Sequence, residues 1–410
     1  MIFFLMNFLR NFLDLKIPLV FEYTSTRMAL AAITTLGLTI FLGPWFVRKL
    51  YELKIGQTIR TDECPLLGEL HEKKQDTPTM GGILMLSSML ISMFLWMDLT
   101  HSFTLLLFVT TVCLGSLGGY DDYLKLKYKS TDGLAGRKKL LFQFLLVAGI
   151  SLYLLCPAIT SSIHFGDWYA PPAAKEFIYQ ADGVGDGGSS SQQRSLSTIE
   201  YISRLYVPFF KGSVYSFTGF GISLLFVLFF FVITGTSNAV NLTDGLDGLA
   251  SGCLIMVASS FAMIAFVSNN IVFARYLHIL YIEGSGEIAI YLCGLVGACL
   301  GFLWYNGHPA QVFMGDTGSL TLGGIIGVAA LLLKRELLLS IVGGVFVAEA
   351  MSVILQVASY KLRNKKRIFL CAPLHHHFEY KGWPETKVVI RFWIIGLLLA
   401  IVGVASLKFQ

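Results

Sequence analysis

Two adjacent carboxylates, Asp121 and Asp122, stand where a long apolar stretch gives way to polar residues. Neighbouring negative charges repel each other and raise one pKa unless a cation lies between them. Mg²⁺ favours one or two carboxylates together with substrate phosphates over an all-protein cage. The pair therefore indicates a site for a divalent metal and a phosphate, although taken alone a solvated helix end would explain it equally well.

A second polar run places Asn241, Asp244 and Asp247 at three-residue steps, and the two aspartates are each followed by a glycine, Gly245 and Gly248. At the start of a helix, side chains at this spacing share one face. Glycine lets a backbone come close to a ligand, so the run suits recognition of hydroxyls, amides or a phosphate-bound metal. An N-cap role would explain one of these side chains but not all three.

Asp316 lies in a Gly-Asp-Thr-Gly-Ser sequence that precedes another apolar stretch. Anions favour helix starts of this kind. Asn306 and Phe313 come shortly before it, and an aromatic ring can stack on a planar base. We interpret the segment as a nucleotide-phosphate site in preference to the alternative that Asp316 is only an N-cap.

Two further polar segments flank apolar stretches. Lys74 and Thr79 lead into one of them and look ready to bind an anion. His375, His376 and His377 precede another, and consecutive residues on a helix diverge by about 100°. They therefore cannot clamp one metal jointly, and we expect one or two of them to bond a phosphate instead.

The elements that must position these residues are membrane helices. Of 410 residues, 55% are hydrophobic and 14% are charged, against about 25% charged in soluble proteins. We predict an all-α, polytopic membrane domain over residues 1–410, with about ten transmembrane helices of roughly 20 residues each. The spans fall near 30–50, 81–97, 103–119, 140–155, 218–236, 247–267, 287–304, 318–333, 338–358 and 388–408.

The remaining segments are assigned no chemistry. Residues 1–25 are apolar but charged in places and lack a cleavage site, which indicates an interfacial segment and not a signal peptide. Residues 157–217 form an outward insert, within which the Gly/Ser-rich residues 182–193 are typical of a flexible linker. Seven cysteines without paired spacing indicate neither a disulfide framework nor a zinc site.

Charge gives the orientation. About two thirds of the 31 lysines and arginines fall in alternate loops, and the positive-inside rule places those loops in the cytoplasm and both termini outside. All five polar clusters lie on that same side. The basic run at residues 361–367 can equally well set topology or meet anionic headgroups. The net charge of +5 gives no indication of nucleic-acid binding.

In order along the chain, five of these stretches resemble the motifs of the polyprenyl-phosphate N-acetylhexosamine-1-phosphate transferases. They are residues 77–82, 121–123, 241–247, 313–319 and 373–379. The resemblance runs from about residue 70 to the C-terminus. The first and last stretches are similar to the branch of the family that takes a muramoyl-pentapeptide donor.

The resemblance implies transfer of phospho-MurNAc-pentapeptide from UDP-MurNAc-pentapeptide to undecaprenyl phosphate, which gives lipid I and UMP in the first membrane step of peptidoglycan synthesis. It also implies a Mg²⁺ requirement, a multi-pass location in the bacterial inner membrane with the active site on the cytoplasmic face, and a homodimer. The partners expected are thus the two substrates and the lipid bilayer, with no nucleic acid.

The resemblance also implies roles for single residues. Asp121 and Asp122 are the essential acidic pair, Asp316 is the Mg²⁺ ligand, and His375 is a further catalytic residue. Asp121 is either a base for the lipid phosphate or part of a pair that forms a phospho-aspartate. The residues expected around the substrate are Lys74, Thr79, Lys125, Lys139, Asn241, Leu242, Asp244, Asp247, Asn306, Phe313 and His376, with Leu242 and Phe313 at the uracil. Lys139 is the best match to a family lysine, although Arg137 and Lys138 adjoin it.

Two other functions remain open. A sister enzyme that moves phospho-GlcNAc shares the aspartate motifs. A lipid or ion transporter is the remote alternative, because Glu349 lies within a predicted span, and buried ionisable groups are typical of transporters. Transporters bind near the midplane, whereas the carboxylates of this chain cluster at helix ends. We expect Glu349 to be paired within the bundle.

Overall fold

A computed structural model of the chain describes residues 19–53, 77–128, 133–179, 191–210 and 212–409. In this part of the chain fifteen helices dominate. They are α1 (Thr24–Glu52), α2 (Gly82–Trp96), α3 (Ser102–Tyr128), α4 (Gly136–Leu155), α5 (Pro157–Ile163), α6 (Thr198–Ile202), α7 (Gly221–Thr243), α8 (Leu249–Ser268), α9 (Ile271–Leu277), α10 (Ser285–Asn306), α11 (Gly315–Leu332), α12 (Glu336–Val342), α13 (Gly344–Leu362), α14 (Leu374–Tyr380) and α15 (Glu385–Ala405). The predicted all-α, polytopic class is confirmed.

Nine of the described helices are long and apolar enough to cross a membrane. The remaining predicted span, at 81–97, corresponds to α2. Its 15 residues rise only about 22 Å at 1.5 Å per residue, less than the roughly 30 Å of hydrocarbon. The span predicted at 338–358 is instead two helices, because the chain breaks at Gly343 between α12 and α13. The orientation of the termini remains a prediction.

Helix α11 is the centre of the bundle, since 89% of its 18 residues are buried. It packs against α3 and α7. A Cβ on Gly323 would lie 2.6 Å from the Thr236 carbonyl oxygen of α7, and one on Gly118 of α3 would lie 2.4 Å from the Asp316 carbonyl oxygen. Small residues let membrane helices approach this closely, so glycine brings the start of α11 into contact with the end of α3.

Helix α10 forms a second layer between α1 and α8. In its apolar stretch of 18 residues 72% of the residues are buried, whereas in that of α1 only 28% are buried. Most of α1 therefore faces lipid. At the start of α10, Glu287 forms an ion pair with Arg27 at 2.8 Å. At its end lies Asn306, so α10 spans from one end of the bundle to the candidate site at the other.

The predicted outward insert contains short strands as well as helices. Strand β1 (Ala174–Tyr179) pairs antiparallel with β2 (Ser191–Leu196) and with β5 (Tyr281–Ile282), and β3 (Arg204–Leu205) pairs with β4 (Tyr215–Ser216). The predicted flexible linker is therefore wrong at its end, where residues 191–193 are in β2 because they complete the pairing with β1. Residues 182–190 of the predicted linker lie outside the described part.

The insert closes the end of the bundle opposite the carboxylates. The buried Tyr201 hydroxyl of α6 donates to the Leu332 carbonyl oxygen at the end of α11, while Asp316 lies at the start of the same helix. Lys334 and Glu336 form a fully buried ion pair beside this contact. Of the predicted interfacial segment, residues 1–18 lie outside the described part, and residues 19–21 form a 3-10 turn.

Candidate active site

The carboxylates of Asp121, Asp122 and Asp316 meet where α3 ends and α11 begins. One carboxylate oxygen from each of the three residues can be found such that all three oxygens lie within 4.8 Å of one another. The sequence placed the acidic pair in a loop, but α3 continues to Tyr128. With 27 residues, α3 is about 40 Å long and exceeds the roughly 30 Å of hydrocarbon, so its last turns hold both acids rigidly beyond the apolar segment.

Asp122 caps α11 from the neighbouring helix. Its Oδ1 accepts the backbone N–H of Asp316 at 3.1 Å, and its Oδ2 accepts the backbone N–H of Thr317 at 2.9 Å and the Thr317 hydroxyl at 2.6 Å. The first N–H groups of a helix have no partner within it, and Met314 at the N-cap provides no side-chain bond. Asp122 therefore fixes the first turn of α11, which holds Asp316.

Two lysine ammonium groups lie between Asp121 and Asp316. Lys139 Nζ is 2.9 Å from Asp121 Oδ2 and 2.6 Å from Asp316 Oδ2, and Lys125 Nζ is 2.8 Å and 3.1 Å from the same oxygens. The other Asp121 oxygen accepts the Leu134 backbone N–H at 2.6 Å. Of the lysines and arginine at 137–139, only Lys139 turns inward, whereas the other two are exposed. Lys125 and Lys139 thus neutralise two of the three carboxylates.

The turn after α7 contributes Asn241 and Asp244. Asn241 Nδ2 donates to Asp316 Oδ1 at 2.9 Å and to Ser319 Oγ at 2.8 Å. Asp244 follows the last residue of α7. Burial, and then the negative charges of Asp316, Asp122 and Asp247, raise the pKa of Asp244 to about 7. Asp244 thus holds a proton more readily than an ordinary aspartate next to the acidic cluster.

Asp247 belongs to a different group of side chains. Its Oδ2 lies 3.0 Å from His308 Nδ1 and accepts the Ala310 backbone N–H at 3.1 Å, while its own N–H donates to Glu385 Oε1 at 2.8 Å. The expectation that Asn241, Asp244 and Asp247 share one helical face is wrong. Helix α7 ends at Thr243, and the next helix starts only after Gly248, whose φ is +78°, so the intervening turn sends Asp247 away from Asn241.

Asn306 is buried and its amide is used within the protein. Its Oδ1 accepts the Gly248 backbone N–H at 2.9 Å, and its Nδ2 donates to the Val312 carbonyl oxygen at 2.9 Å. These bonds tie the end of α10 to the start of α8 and to the segment that leads into α11. The structure thus places Asn306 beneath the site, where it holds two loops together.

Thr79 and Phe313 lie side by side because their segments pair through the backbone. The Phe313 N–H donates to the Pro78 carbonyl oxygen at 2.8 Å, and the Gly81 N–H donates to the Phe313 carbonyl oxygen at 2.8 Å. Phe313 is partly exposed, as is Leu242 in the last turn of α7, so both remain accessible for the expected uracil contact. Lys74 lies outside the described residues.

The three consecutive histidines have three different environments, as their helical spacing predicts. His375 is fully buried, with Nδ1 3.1 Å from a carboxylate oxygen of Glu349. His376 Nδ1 lies 2.7 Å from Glu379 Oε2, and His377 Nδ1 accepts the Leu370 N–H at 3.1 Å. Only His375 reaches the turn after α7, since a Cβ on Gly245 would lie 2.3 Å from its Nε2.

The acidic cluster fits a hard divalent cation. Three carboxylates converge from two rigid helices, and oxygen ligands of this kind suit Mg²⁺ better than the nitrogen and sulfur ligands that suit softer metals. Two acids of this cluster form ion pairs with lysines. The side chain of Asp316 is 13% exposed and that of Asp121 is 0% exposed. Asp316 is therefore the side chain of this pair that is more open to such an ion.

Three residues with site contacts had no assigned role in the sequence. Glu349 was expected only to be paired, and its partner is His375. His308 and Glu385 form a group with Asp247 whose ligand atoms lie within 4.8 Å of one another. His308 adjoins the Asn306 motif, which is a weak signal, whereas nothing in the local sequence marks Glu385, since it is only the first residue of α15.

Comparison with known proteins gives consistent matches along the chain. Residues 193–334 match the profile of glycosyl transferase family 4, and residues 74–86 match phospho-N-acetylmuramoyl-pentapeptide-transferase signature 1. A phospho-N-acetylmuramoyl-pentapeptide-transferase of Protochlamydia amoebophila is 68% identical over the whole of both chains. Enzymes of the same description from Desulfotalea psychrophila and Brachyspira hyodysenteriae are 43% and 45% identical over 95% of each chain.

Proposed function

The chain belongs to the phospho-N-acetylmuramoyl-pentapeptide transferases, and from that premise we propose that the cluster of Asp121, Asp122 and Asp316 is its catalytic centre. The enzyme transfers phospho-MurNAc-pentapeptide from UDP-MurNAc-pentapeptide to a polyprenyl phosphate and so makes lipid I. The observation that supports the location is the convergence of three carboxylates within 4.8 Å at the end of two apolar helices. A soluble nucleotide and a membrane-anchored phosphate can meet at such a place.

In the proposed reaction, an oxygen of the lipid phosphate attacks the β-phosphorus of the donor. A new P–O bond forms to the lipid, the bond from the β-phosphorus to the bridging oxygen breaks, and UMP leaves with that oxygen and its electron pair. Phosphoryl transfer requires alignment and charge neutralisation more than covalent chemistry. Mg²⁺, when bound at Asp316, would supply part of that neutralisation.

We assign different tasks to the two members of the acidic pair. Both oxygens of Asp122 accept bonds from the start of α11, so its task is to hold Asp316 in place. Asp121 Oδ2 contacts the ammonium groups of Lys125 and Lys139, so we assign Asp121 to the side of the cluster that acts on the phosphates. Lys125 and Lys139 would then pair with donor phosphate oxygens, and Asn241 would orient Asp316.

The remaining site residues have supporting roles in this proposal. Asp244 and Asp247 lie at either end of the turn that faces His375, where they can bond donor hydroxyl or amide groups. Leu242 and Phe313 would contact the uracil, and Thr79, Lys74, His375 and His376 would approach the phosphates or sugar. We further propose undecaprenyl phosphate as the acceptor, Mg²⁺ as the metal, and the cytoplasmic face of the bacterial inner membrane as the location. The homodimer remains a prediction.

The experiment is UMP release by detergent-purified protein supplied with UDP-MurNAc-pentapeptide, undecaprenyl phosphate and Mg²⁺. Release that is abolished by EDTA and by Asp316→Ala supports both the reaction and the metal site. The matched control is Glu200→Gln, because Glu200 forms an exposed ion pair with Arg194 in the insert, at the end of the bundle opposite the carboxylates. Turnover of UDP-GlcNAc in place of the muramoyl donor would contradict the proposal, and so would release that survives EDTA.

A further inference from the structure

Glu349 is an ionisable side chain in the second turn of the membrane helix α13, and nothing in the proposed reaction uses it. It is fully buried. A charged group at this depth costs several kcal/mol unless it is paired, which is why such residues are usually functional. Its partner in the described structure is His375, a member of the triple-histidine stretch on α14.

Glu349 contacts His375 at two places. One carboxylate oxygen accepts the backbone N–H of His375 at 3.1 Å, and the other lies 3.1 Å from the ring Nδ1. The ring itself has 0% exposure. The contact between Nδ1 and the Glu349 carboxylate has the distance but not the angle of a hydrogen bond. Hydrogen bonds at catalytic sites are often poorly aligned without substrate and tighten when substrate binds.

The opposite ring nitrogen points to the substrate side of the pair. His375 Nε2 has no hydrogen-bond partner among the described residues. It faces Gly245 so closely that a Cβ there would lie 2.3 Å away, and Gly245 is the residue between Asp244 and the rest of the turn. A buried imidazole therefore presents one unpartnered nitrogen to the turn that adjoins the acidic cluster.

A carboxylate at one nitrogen of an imidazole sets which nitrogen has the proton and fixes the orientation of the ring. We propose that Glu349 is a positioning residue for the transfer reaction. It keeps a ring proton of His375 on Nδ1, and it aims Nε2 at the turn formed by residues 241–247, where the donor binds. This inference rests on the proposed function, because it assigns the turn to the donor.

The first test is Glu349→Gln, which keeps the shape of the side chain and one acceptor for the backbone N–H of His375. Its amide can donate to Nδ1 and so move the ring proton to Nε2. Loss of a group that orients a histidine typically reduces activity by about 10-fold to 100-fold. We expect a fall of that size in kcat with the KM for the donor changed less than about threefold, and partial recovery in Glu349→Asp, which restores the carboxylate.

Glu287→Gln is the matched control. Glu287 is also a buried glutamate, but it pairs with Arg27 at the start of α10, at the end of the bundle away from the carboxylates. Its loss should lower the unfolding temperature and leave the kcat of the folded fraction unchanged. A kcat of Glu349→Gln within twofold of the wild type, at the same folded fraction, would overturn the proposal.

Two further measurements separate positioning from a purely structural role. In a double-mutant cycle, Glu349→Gln should add no loss to His375→Ala, because both changes remove one function; additive losses would contradict this. Nitrogen-15 NMR of labelled histidine should identify an Nδ1-protonated signal that is absent in His375→Ala and altered in Glu349→Gln. An Nε2-protonated ring in the wild type would refute the tautomer without any reference to activity.

The failure of this proposal is distinguishable from failure of the proposed function. If wild-type protein does not convert the muramoyl donor, the function is wrong. If the wild type and Glu287→Gln convert it and Glu349→Gln does so equally well, only the role of Glu349 is wrong. Should Glu349→Gln not fold, Gly245→Ala tests the same geometry from the other side, since its added Cβ must displace Nε2; unchanged kcat in that variant would contradict the proposal.

Discussion

Replacing Asp122 should destabilise the protein through α11, in addition to any effect on chemistry. Its carboxylate accepts three hydrogen bonds from Asp316 and Thr317 at the start of that helix, at 3.1, 2.9 and 2.6 Å. Loss of an N-cap costs about 0.5–2 kcal/mol, and bonds to a charged group are worth about 1.5–3 kcal/mol each. Because these bonds share one carboxylate, we expect Asp122→Ala to cost about 3 kcal/mol in total.

The conservative variant should cost less. Asp122→Asn keeps one acceptor oxygen and removes a negative charge from beside Asp316, so we expect a loss of about 1 kcal/mol. For a large chain, each kcal/mol moves the unfolding temperature by roughly 2 °C. The unfolding temperature in detergent should therefore fall by about 6 °C in Asp122→Ala and by about 2 °C in Asp122→Asn.

Thr317→Val is the matched control for Asp122→Ala. It removes only the hydroxyl bond to Asp122 and should lower the unfolding temperature by about 2 °C. Combined with Asp122→Ala it should have no further effect, because the acceptor is already gone. Equal unfolding temperatures for Asp122→Ala and the wild type, or additive losses in the double variant, would refute the capping role of Asp122.

Three further outcomes follow from the contacts. Lys139→Met should reduce UMP release by about 100-fold or more, and it should lower the Mg²⁺ concentration for half-maximal activity because Asp316 loses a competing cation. Lys138→Met, at an exposed position, should change neither quantity. A raised Mg²⁺ requirement in Lys139→Met would contradict the competition between the lysine and the metal. Burial and neighbouring carboxylates raise the pKa of Asp244 to about 7, whereas an unfolded aspartate titrates near 3.9. The folded state then binds the extra proton, so in EDTA the unfolding temperature should fall as pH rises from 5 to 7, and Asp244→Asn should remove that slope; a rise with pH would be the wrong sign. Tyr201→Phe should lower stability by about 1–3 kcal/mol, since the buried Leu332 carbonyl loses its donor, with UMP release unchanged; reduced release would give the insert a role in chemistry.

The apolar pattern of the sequence predicts the helices because the bilayer leaves few alternatives. Backbone groups in hydrocarbon must bond within their own segment, so an apolar run of sufficient length becomes a helix wherever it occurs. The described helices appear at all ten predicted spans, with α2 shorter and α12 separated from α13. The Gly343-Gly344 pair is a weak signal of the break, but the apolar run continues on both sides of it, so the pattern alone predicts one span.

The contents of the site were less predictable than its location. Motif spacing grouped Asn241 with Asp247, yet Asn241 bonds Asp316 and Asp247 lies with His308. Spacing alone cannot decide this, because a turn that begins at Asp244 redirects each following side chain. Asn306 looked like a substrate contact, but its amide bonds Gly248 and Val312, and such tertiary bonds depend on how α8 and α10 meet.

The charge balance of the cluster explains why a metal requirement is a reasonable expectation for this chain. Asp121, Asp122 and Asp316 contribute three negative charges, and Lys125 and Lys139 return two positive ones. The remaining carboxylate, Asp122, is stabilised by the N-terminus of α11, where the helix dipole favours negative charge. A diphosphate that entered this site without a further cation would meet a net negative field. The ammonium groups of Lys125 and Lys139 can therefore turn from the carboxylates to the donor phosphates only if another cation takes their place beside Asp121 and Asp316.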